Sequence, residues 1–142
     1  MDVAFLDANV LFSAAYRSHS GLRGLWHLEE VELVSSAYAV EEARRNLVEE
    51  AQRQRLTDLL SELKIVPEVA EAEYELMGLL DSGLPAKDLP ILGSAIGARA
   101  THLLTGDVTH FGHLLERTIG GVMILTPNQY HRRRLGEGPP DE

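Results

Sequence analysis

Apolar residues in this chain fall into short continuous runs, separated by stretches in which they recur at helical spacing. Val3-Ala4-Phe5-Leu6 is such a run, bounded by polar residues, as expected of a strand covered on both faces, and is predicted to be the central strand. Further strands are predicted at Glu32-Leu33-Val34-Ser35, Lys64-Ile65-Val66, His102-Leu103-Leu104-Thr105 and Val122-Met123-Ile124-Leu125. Pro67 stops the second of these four, and Thr126-Pro127 ends the last.

Between them, helices are predicted from Asn9 to Tyr16 and from Gly21 to Glu30, where Leu22, Leu25, Trp26 and Leu28 supply an apolar face. After Ser36, a candidate N-cap, Ala39, Val40, Ala43, Leu47 and Ala51 recur every three to four residues. The pattern continues through Leu56, Leu59, Leu60 and Leu63, as one helix or two. Glu71 to Leu80 is predicted helical. Asp88 is placed to cap a helix with Pro90 in its first turn and Ile91, Leu92, Ala95, Ile96 and Ala98 as buried residues. Gly93 and Gly97, four apart, allow that helix to pack closely against the sheet. Gly106 supplies a turn, and Phe111 to Leu115 fits a short helix. This alternation predicts an α/β fold, a mostly parallel sheet with helices on both faces.

A length of 142 residues suits one domain. It is expected over residues 1–134, followed from Leu135 by a frayed tail rich in Gly, Pro and acid. The hydrophobic fraction of 44% and charged fraction of 25% are those of a globular chain. No apolar stretch approaches the roughly 20 residues that span a bilayer. With Asp2 at the second position and a strand at once, no export signal is expected, so the predicted location is cytoplasmic. The absence of cysteine leaves oxygen and imidazole as the only metal donors. A net charge of -9 argues against a uniformly basic nucleic-acid surface but not against local basic patches.

Four acids change this picture: Asp7 at the end of the first strand, Glu42 in Ala39-Val40-Glu41-Glu42, Asp88 in Lys87-Asp88-Leu89-Pro90, and Asp107 in Thr105-Gly106-Asp107. Two lie where apolar runs end, the edge at which open α/β sheets bind ligands. Gathered there, carboxylates would form an oxygen-rich site for a hard divalent cation. Each also has an ordinary role. Asp7 and Asp88 can cap helices, Glu42 can sit at a solvated first helical turn beside an equally acidic Glu41, and Asp107 can form an Asx-turn.

Taken together, the four stretches resemble the PIN domain family of Mg²⁺- or Mn²⁺-dependent ribonucleases, in particular its bacterial single-domain, toxin-like members. Phe5-Leu6-Asp7-Ala8-Asn9-Val10-Leu11 is similar to the family's opening strand. Ser36, Glu42 and Leu47 resemble its second motif, and that spacing favours Glu42 over Glu41. Lys87-Asp88-Leu89-Pro90-Ile91-Leu92 with Ala95 resembles the third, and Leu103-Leu104-Thr105-Gly106-Asp107 with His110-Phe111 the fourth. The likeness covers residues 3 to about 127.

It implies a three-layer α/β/α fold and a metal-dependent endoribonuclease, the toxin of a toxin-antitoxin pair. Asp7, Glu42, Asp88 and Asp107 would hold Mg²⁺ or Mn²⁺ as the catalytic set, with Asn9 and Thr105 in support. RNA would be the substrate and a small antitoxin a partner, with self-association into a homodimer. No additional acid follows Gly106-Asp107, so the sequence does not supply an evident second metal site.

Among the other polar residues, His110 and His113 flank Phe111 and are read mainly as surface groups. His131-Arg132-Arg133-Arg134 offers guanidinium groups for RNA phosphates, or equally a solvated helix end. Arg17, Arg23, Arg44 and Arg45 are candidates for a substrate-facing rim. Trp26 and Tyr38 are expected in the core. Two rivals stand beside the nuclease: a phosphohydrolase using Asp7 as nucleophile, and a PIN-like module that binds RNA or protein without turnover.

Overall fold

The structure, a computed structural model, describes residues 1–136. Its centre is a six-stranded sheet in the order β3-β2-β1-β4-β6-β5, built from β1 (Asp2–Leu6), β2 (Val31–Ser36), β3 (Lys64–Val66), β4 (His102–Leu104), β5 (Thr118–Ile119) and β6 (Val122–Leu125). All neighbours are parallel except β5 and β6. The expected central strand is central: β1 pairs with β2 through Phe5 and Val34 and with β4 through Phe5 and Leu103. Ala4, Phe5 and Leu6 are fully buried, as the unbroken apolar run requires.

Six helices flank the sheet: α1 (Ala8–Tyr16), α2 (Ala37–Asn46), α3 (Glu50–Leu60), α4 (Leu89–Gly97), α5 (Val108–Phe111) and α6 (Pro127–Arg134). From β1 the chain steps outward through β2 to β3, then returns across to β4 on the other side of β1. Right-handed crossovers then put α1 to α3 and α4 to α5 on opposite faces. The reversal also opens a crevice beyond the C-terminal ends of β1 and β4, the position where such sheets take ligands.

The long apolar repeat beyond Ser36 resolves into two helices. Ser36 caps α2 through a hydrogen bond from the Ala39 amide, and Leu47 is buried at the break. Glu49 and Gln52 then form a capping box that starts α3. Ala51, expected on the buried stripe, is exposed, and Gln52 is buried instead, donating to Tyr16 O. Arg55 donates to Ala15 O and Tyr16 O, and Arg23 to Ala14 O. These donors satisfy the open carbonyls at the end of α1, which has no basic residue in its own last turn. Arg23 is thereby used structurally, and Arg44 lies 3.8 Å from Glu41.

Several expectations are corrected. Gly21–His27 is a 3-10 helix rather than an α-helix to Glu30. The stretch from Glu71 to Leu80 is not one helix: it holds 3-10 turns at Glu71–Glu73 and Leu79–Asp81. Gly78, at φ 74°, ends the intervening turn as a Schellman motif, with the Leu79 amide donating to Tyr74 O and the Gly78 amide to Glu75 O. Tyr74 and Leu79 are consequently buried while Leu76 and Leu80 are exposed. The helix expected at Phe111 to Leu115 begins earlier, as α5, and finishes as a 3-10 turn at Gly112–Leu114.

Two elements were not anticipated. The β5–β6 hairpin turns at Gly120-Gly121, both at positive φ, the conformation a two-residue I′ turn demands. Helix α6 starts from a capping box between Thr126 and Gln129, with Pro127 at its first position. The tail expected from Leu135 lies, from residue 137 on, outside the described residues.

Gly93 and Gly97 do permit close approach, but to the 69–79 segment rather than to the sheet. A Cβ on Gly93 would meet Leu79 and Tyr74 at 3.2 and 3.3 Å, and one on Gly97 would lie 2.6 Å from Val69 Cγ2. Gly97→Ala is expected to destabilise the protein by about 1 kcal/mol. Overpacking of about 1–3 kcal/mol outweighs the better helix propensity of Ala. Gly24→Ala, whose Cβ meets nothing within 4 Å, is the control in urea unfolding. A Gly97→Ala protein as stable as the parent would show that Val69 yields freely.

Candidate metal centre at the strand edge

Asp7 leaves β1 and starts α1. Its amide donates to Leu104 O at 3.0 Å, which locks the end of β1 beside the end of β4. The carboxylate is 4% exposed, and both of its oxygens accept hydrogen bonds. Oδ1 takes the Ala8 amide at 2.7 Å; Oδ2 takes the Thr105 hydroxyl at 2.8 Å and Asn9 Nδ2 at 3.1 Å. Asp7 therefore caps α1 and also faces the cluster. Burial pushes its pKa up to about 6, against the lowering effect of the Thr105 and Ala8 donors, and the charges of Asp88 and Glu42 add to the rise.

Asn9 and Thr105 tie the two strand ends together. Asn9 Oδ1 accepts from the Gly106 amide at 2.7 Å, and Thr105 Oγ1 accepts from the Asp107 amide at 3.1 Å. The hydroxyl of one buried threonine thus bridges Asp7 and Asp107. Gly106 suits this approach, since a Cβ there would sit 3.3 Å from Asn9 Oδ1.

Asp88 ends the 3-10 turn Ala86–Asp88 that leads into α4. It was expected to cap that helix, but its side chain makes no capping hydrogen bond. The carboxylate is instead turned inward and buried at 7% exposure. Oδ1 lies 3.6 Å from Lys87 Nζ. Oδ2 lies 3.2 Å from His110 Nδ1 yet makes no hydrogen bond, because the imidazole is directed at Asp107 Oδ2, 2.8 Å away. A buried carboxylate oxygen without a donor is costly unless a cation meets it. Tyr38, half-buried against the core, fixes the turn by donating its hydroxyl to Lys87 O at 2.7 Å.

Asp107 caps α5, with Oδ1 accepting from the His110 amide at 3.0 Å, which is a helix cap rather than a bare Asx-turn. Burial raises its pKa, but the His110 amide, the His110 imidazole and Lys87 together bring it below the usual carboxylate value. One donor atom from each of Asp88, Asp107 and His110 lies within 4.8 Å of the others. His110 was read from sequence mainly as a surface group. The available signal was its position three residues after Asp107, one helical turn on from an acid at a strand end.

Of the adjacent pair on α2, Glu41 is exposed and lies near Arg44, while Glu42 is partly buried and acts on Asp7 through its charge. Glu42 also lines a groove of about 340 Å³ with Ala8, Asn9, Phe12, Ala43 and Asn46, beside Asp7. The structure thus brings Asp7, Asn9, Asp88, Thr105 and Asp107 together, with Glu42 at the margin.

The arginines at the end of α6 lie elsewhere. Arg134 is 3.6 Å from Asp2 Oδ2 and donates to Glu29 O, and Arg133 pairs with Glu116. Since Asp2 begins β1 and Asp7 follows its end, Arg134 is at the opposite edge of the sheet from the acids. Arg132 is exposed on the same last turn. His113 accepts a structural task, with Nε2 2.7 Å from Ser82 O. Trp26, half-buried as part of the core's margin, donates to Leu59 O.

No helix among the described residues is long and apolar enough to cross a membrane. No protein-family model matches this chain, and no curated protein matches its sequence. Among solved structures it is similar to a chain in the crystal structure of VapBC2 from Rickettsia felis bound to a DNA fragment from their promoter. The TM-score is 0.62 at 19% identity, over 87% of this chain and 98% of that one. At that identity the likeness is one of fold, and the α/β architecture with its mostly parallel sheet is consistent with a PIN-like domain.

Proposed function

We propose that this chain is a metal-dependent endoribonuclease of the PIN type and the toxin of a toxin-antitoxin pair, working in the cytoplasm. The observation that carries the proposal is the grouping of Asp88, Asp107 and His110 within 4.8 Å of one another, with Asp88 Oδ2 buried and without a hydrogen bond, while the Thr105 hydroxyl links Asp7 to Asp107. Mg²⁺ or Mn²⁺ fits this donor set, which is mostly carboxylate oxygen. Asp7, Glu42, Asp88 and Asp107 would hold it. When bound, such a cation makes water a better nucleophile at neutral pH and neutralises charge on a phosphodiester.

The chain's own groups set up that centre. Thr105 and Asn9 hold Asp7 Oδ2 in one orientation, and the same Thr105 hydroxyl places the Asp107 backbone. The His110 amide orients Asp107, whose other oxygen lies 2.8 Å from the His110 imidazole Nδ1. Lys87 Nζ lies 3.6 Å from Asp88 Oδ1. Asp7 is poorly suited to attack phosphorus itself, because it is buried at 4% exposure behind the end of β1. That disfavours the phosphohydrolase alternative and leaves water as the nucleophile, with no covalent intermediate.

An antitoxin segment is proposed to occupy the groove beside Glu42, and the protein is proposed to form a homodimer. The fold likeness to a chain of VapBC2, itself a complex on promoter DNA, supports a partner of this kind. The test is cleavage of a mixed pool of structured RNAs with Mg²⁺, with Mn²⁺ and with EDTA. Cleavage that needs the divalent ion is expected. RNA binding with no cleavage under any condition would instead identify a binding module.

A further inference from the structure

We propose that His110 is a nitrogen ligand of this centre and makes it select Mn²⁺ over Mg²⁺. The inference rests on the carboxylate site proposed above and adds a donor of a different chemical kind. It starts from which atoms are already committed. Asp107 Oδ1 takes the His110 amide, and Asp88 Oδ1 faces Lys87. Of the remaining atoms, Asp107 Oδ2 and Asp88 Oδ2 both lie against His110 Nδ1, and one donor atom from each of the three residues lies within 4.8 Å of the others.

Their separations suit a shared cation. Two donors at right angles, each about 2.1 Å from a metal, lie about 3.0 Å apart. The imidazole nitrogen lies 2.8 Å from one carboxylate oxygen and 3.2 Å from the other. A protonated Nδ1 donating to Asp107 accounts for the first distance alone. It leaves Asp88 Oδ2, a buried atom on a side chain 10% exposed, aimed at the same point with no hydrogen bond. A cation among the three atoms accounts for both.

The position of His110 is fixed by the fold. Asp107 and His110 stand at the start and end of the first turn of α5, so their side chains lie on one side. Asp88 is brought to them by the turn before α4, which Tyr38 holds through Lys87 O. An imidazole nitrogen is a softer donor than a carboxylate oxygen, and Mg²⁺ in particular favours oxygen and retains its water. Exchanging one oxygen ligand for this nitrogen therefore favours a transition ion.

The experiment uses the whole chain and the metal alone. Mn²⁺ is titrated into wild-type protein, His110→Asn and His110→Asp, with Mg²⁺ as competitor. Pulsed EPR on bound Mn²⁺ reads directly coordinated ¹⁴N. A ¹⁴N coupling is expected in the wild type and should vanish in both variants. The Mn²⁺ to Mg²⁺ affinity ratio should fall by about tenfold or more, with His110→Asp recovering Mg²⁺ binding. The wild-type spectrum needs no variant, so a variant that fails to fold leaves the test standing. Tight Mn²⁺ binding without a ¹⁴N coupling would overturn the role of His110 while sparing the carboxylate site. Absence of Mn²⁺ binding at millimolar concentration would overturn both.

Discussion

Asp7→Asn is expected to lower divalent-dependent RNA cleavage by more than about 100-fold while the protein still folds. The substitution keeps the shape of the side chain, and its carbonyl oxygen can still accept from the Ala8 amide. The new NH₂ then faces Thr105 Oγ1, which can turn to accept, and Asn9 Nδ2, which loses its acceptor. One lost hydrogen bond costs about 1 kcal/mol, set against removal of a buried negative charge. Loss of activity follows from losing an anionic oxygen beside the cluster, on the acid that Thr105 links to Asp107.

The magnitude is set by comparison. Changes to groups that only orient a metal ligand cost roughly 10- to 100-fold. Thr105→Val removes the hydroxyl that bridges Asp7 and Asp107 but keeps the side chain's volume, and should fall in that range. Gel assays on structured RNA, with circular dichroism of each variant, give the ranking. Full metal-dependent activity in Asp7→Asn would remove Asp7 from the centre.

The central strands are legible because they are buried on both faces. Phe5-Leu6 and Leu103-Leu104 have no polar residue to confuse the period, and both pairs are fully buried. Periodicity alone does not gather the acids; that expectation rests on their order along the chain, and the structure sets Asp88 and Asp107 beside His110 and links Asp7 to Asp107 through Thr105. Nothing in the spacing of Asp88 says that its side chain turns away from its own helix; that depends on where Tyr38 holds the preceding turn.

Other features carry their own signals in the sequence. Gly120-Gly121 between Ile119 and Val122 is a hairpin signature, and Thr126-Pro127-Asn128-Gln129 is a capping box with Pro at the first helical position. The Glu71–Leu80 expectation failed for a different reason. Its leucines suit a helix locally, but Gly78 closes the turn and the buried pair is Tyr74 and Leu79, five residues apart. The arginines of α6 show the limit of composition, since three consecutive bases invited a phosphate site while the fold directs Arg133 and Arg134 to Glu116 and Asp2.

Stability in EDTA is expected to fall by about 2.4 kcal/mol as pH rises from about 4 to about 7, through Asp7 alone. The carboxyl moves from 3.8 to about 6 on folding, so the folded chain holds this proton more tightly than the unfolded chain. Its stabilising contribution is complete below 3.8 and is lost as pH rises through about 6, each pKa unit being worth about 1.4 kcal/mol. Two other groups act in the opposite sense. Asp107, with a lowered pKa, loses its contribution only as pH falls below the ordinary carboxylate value. His102, lowered first by burial, gains stability as pH rises toward 6.5. The difference between wild-type protein and Asp7→Asn cancels both. Urea unfolding of the pair at pH 4.5 and 7.5 should show the wild type losing ground to the variant by about 2 kcal/mol between the two. Added Mn²⁺ should restore the wild type at pH 7.5 and do little at pH 4.5, where protons compete for the same oxygens. A difference that stays constant with pH would mean that the Asp7 carboxyl is not the group whose charge the cation offsets.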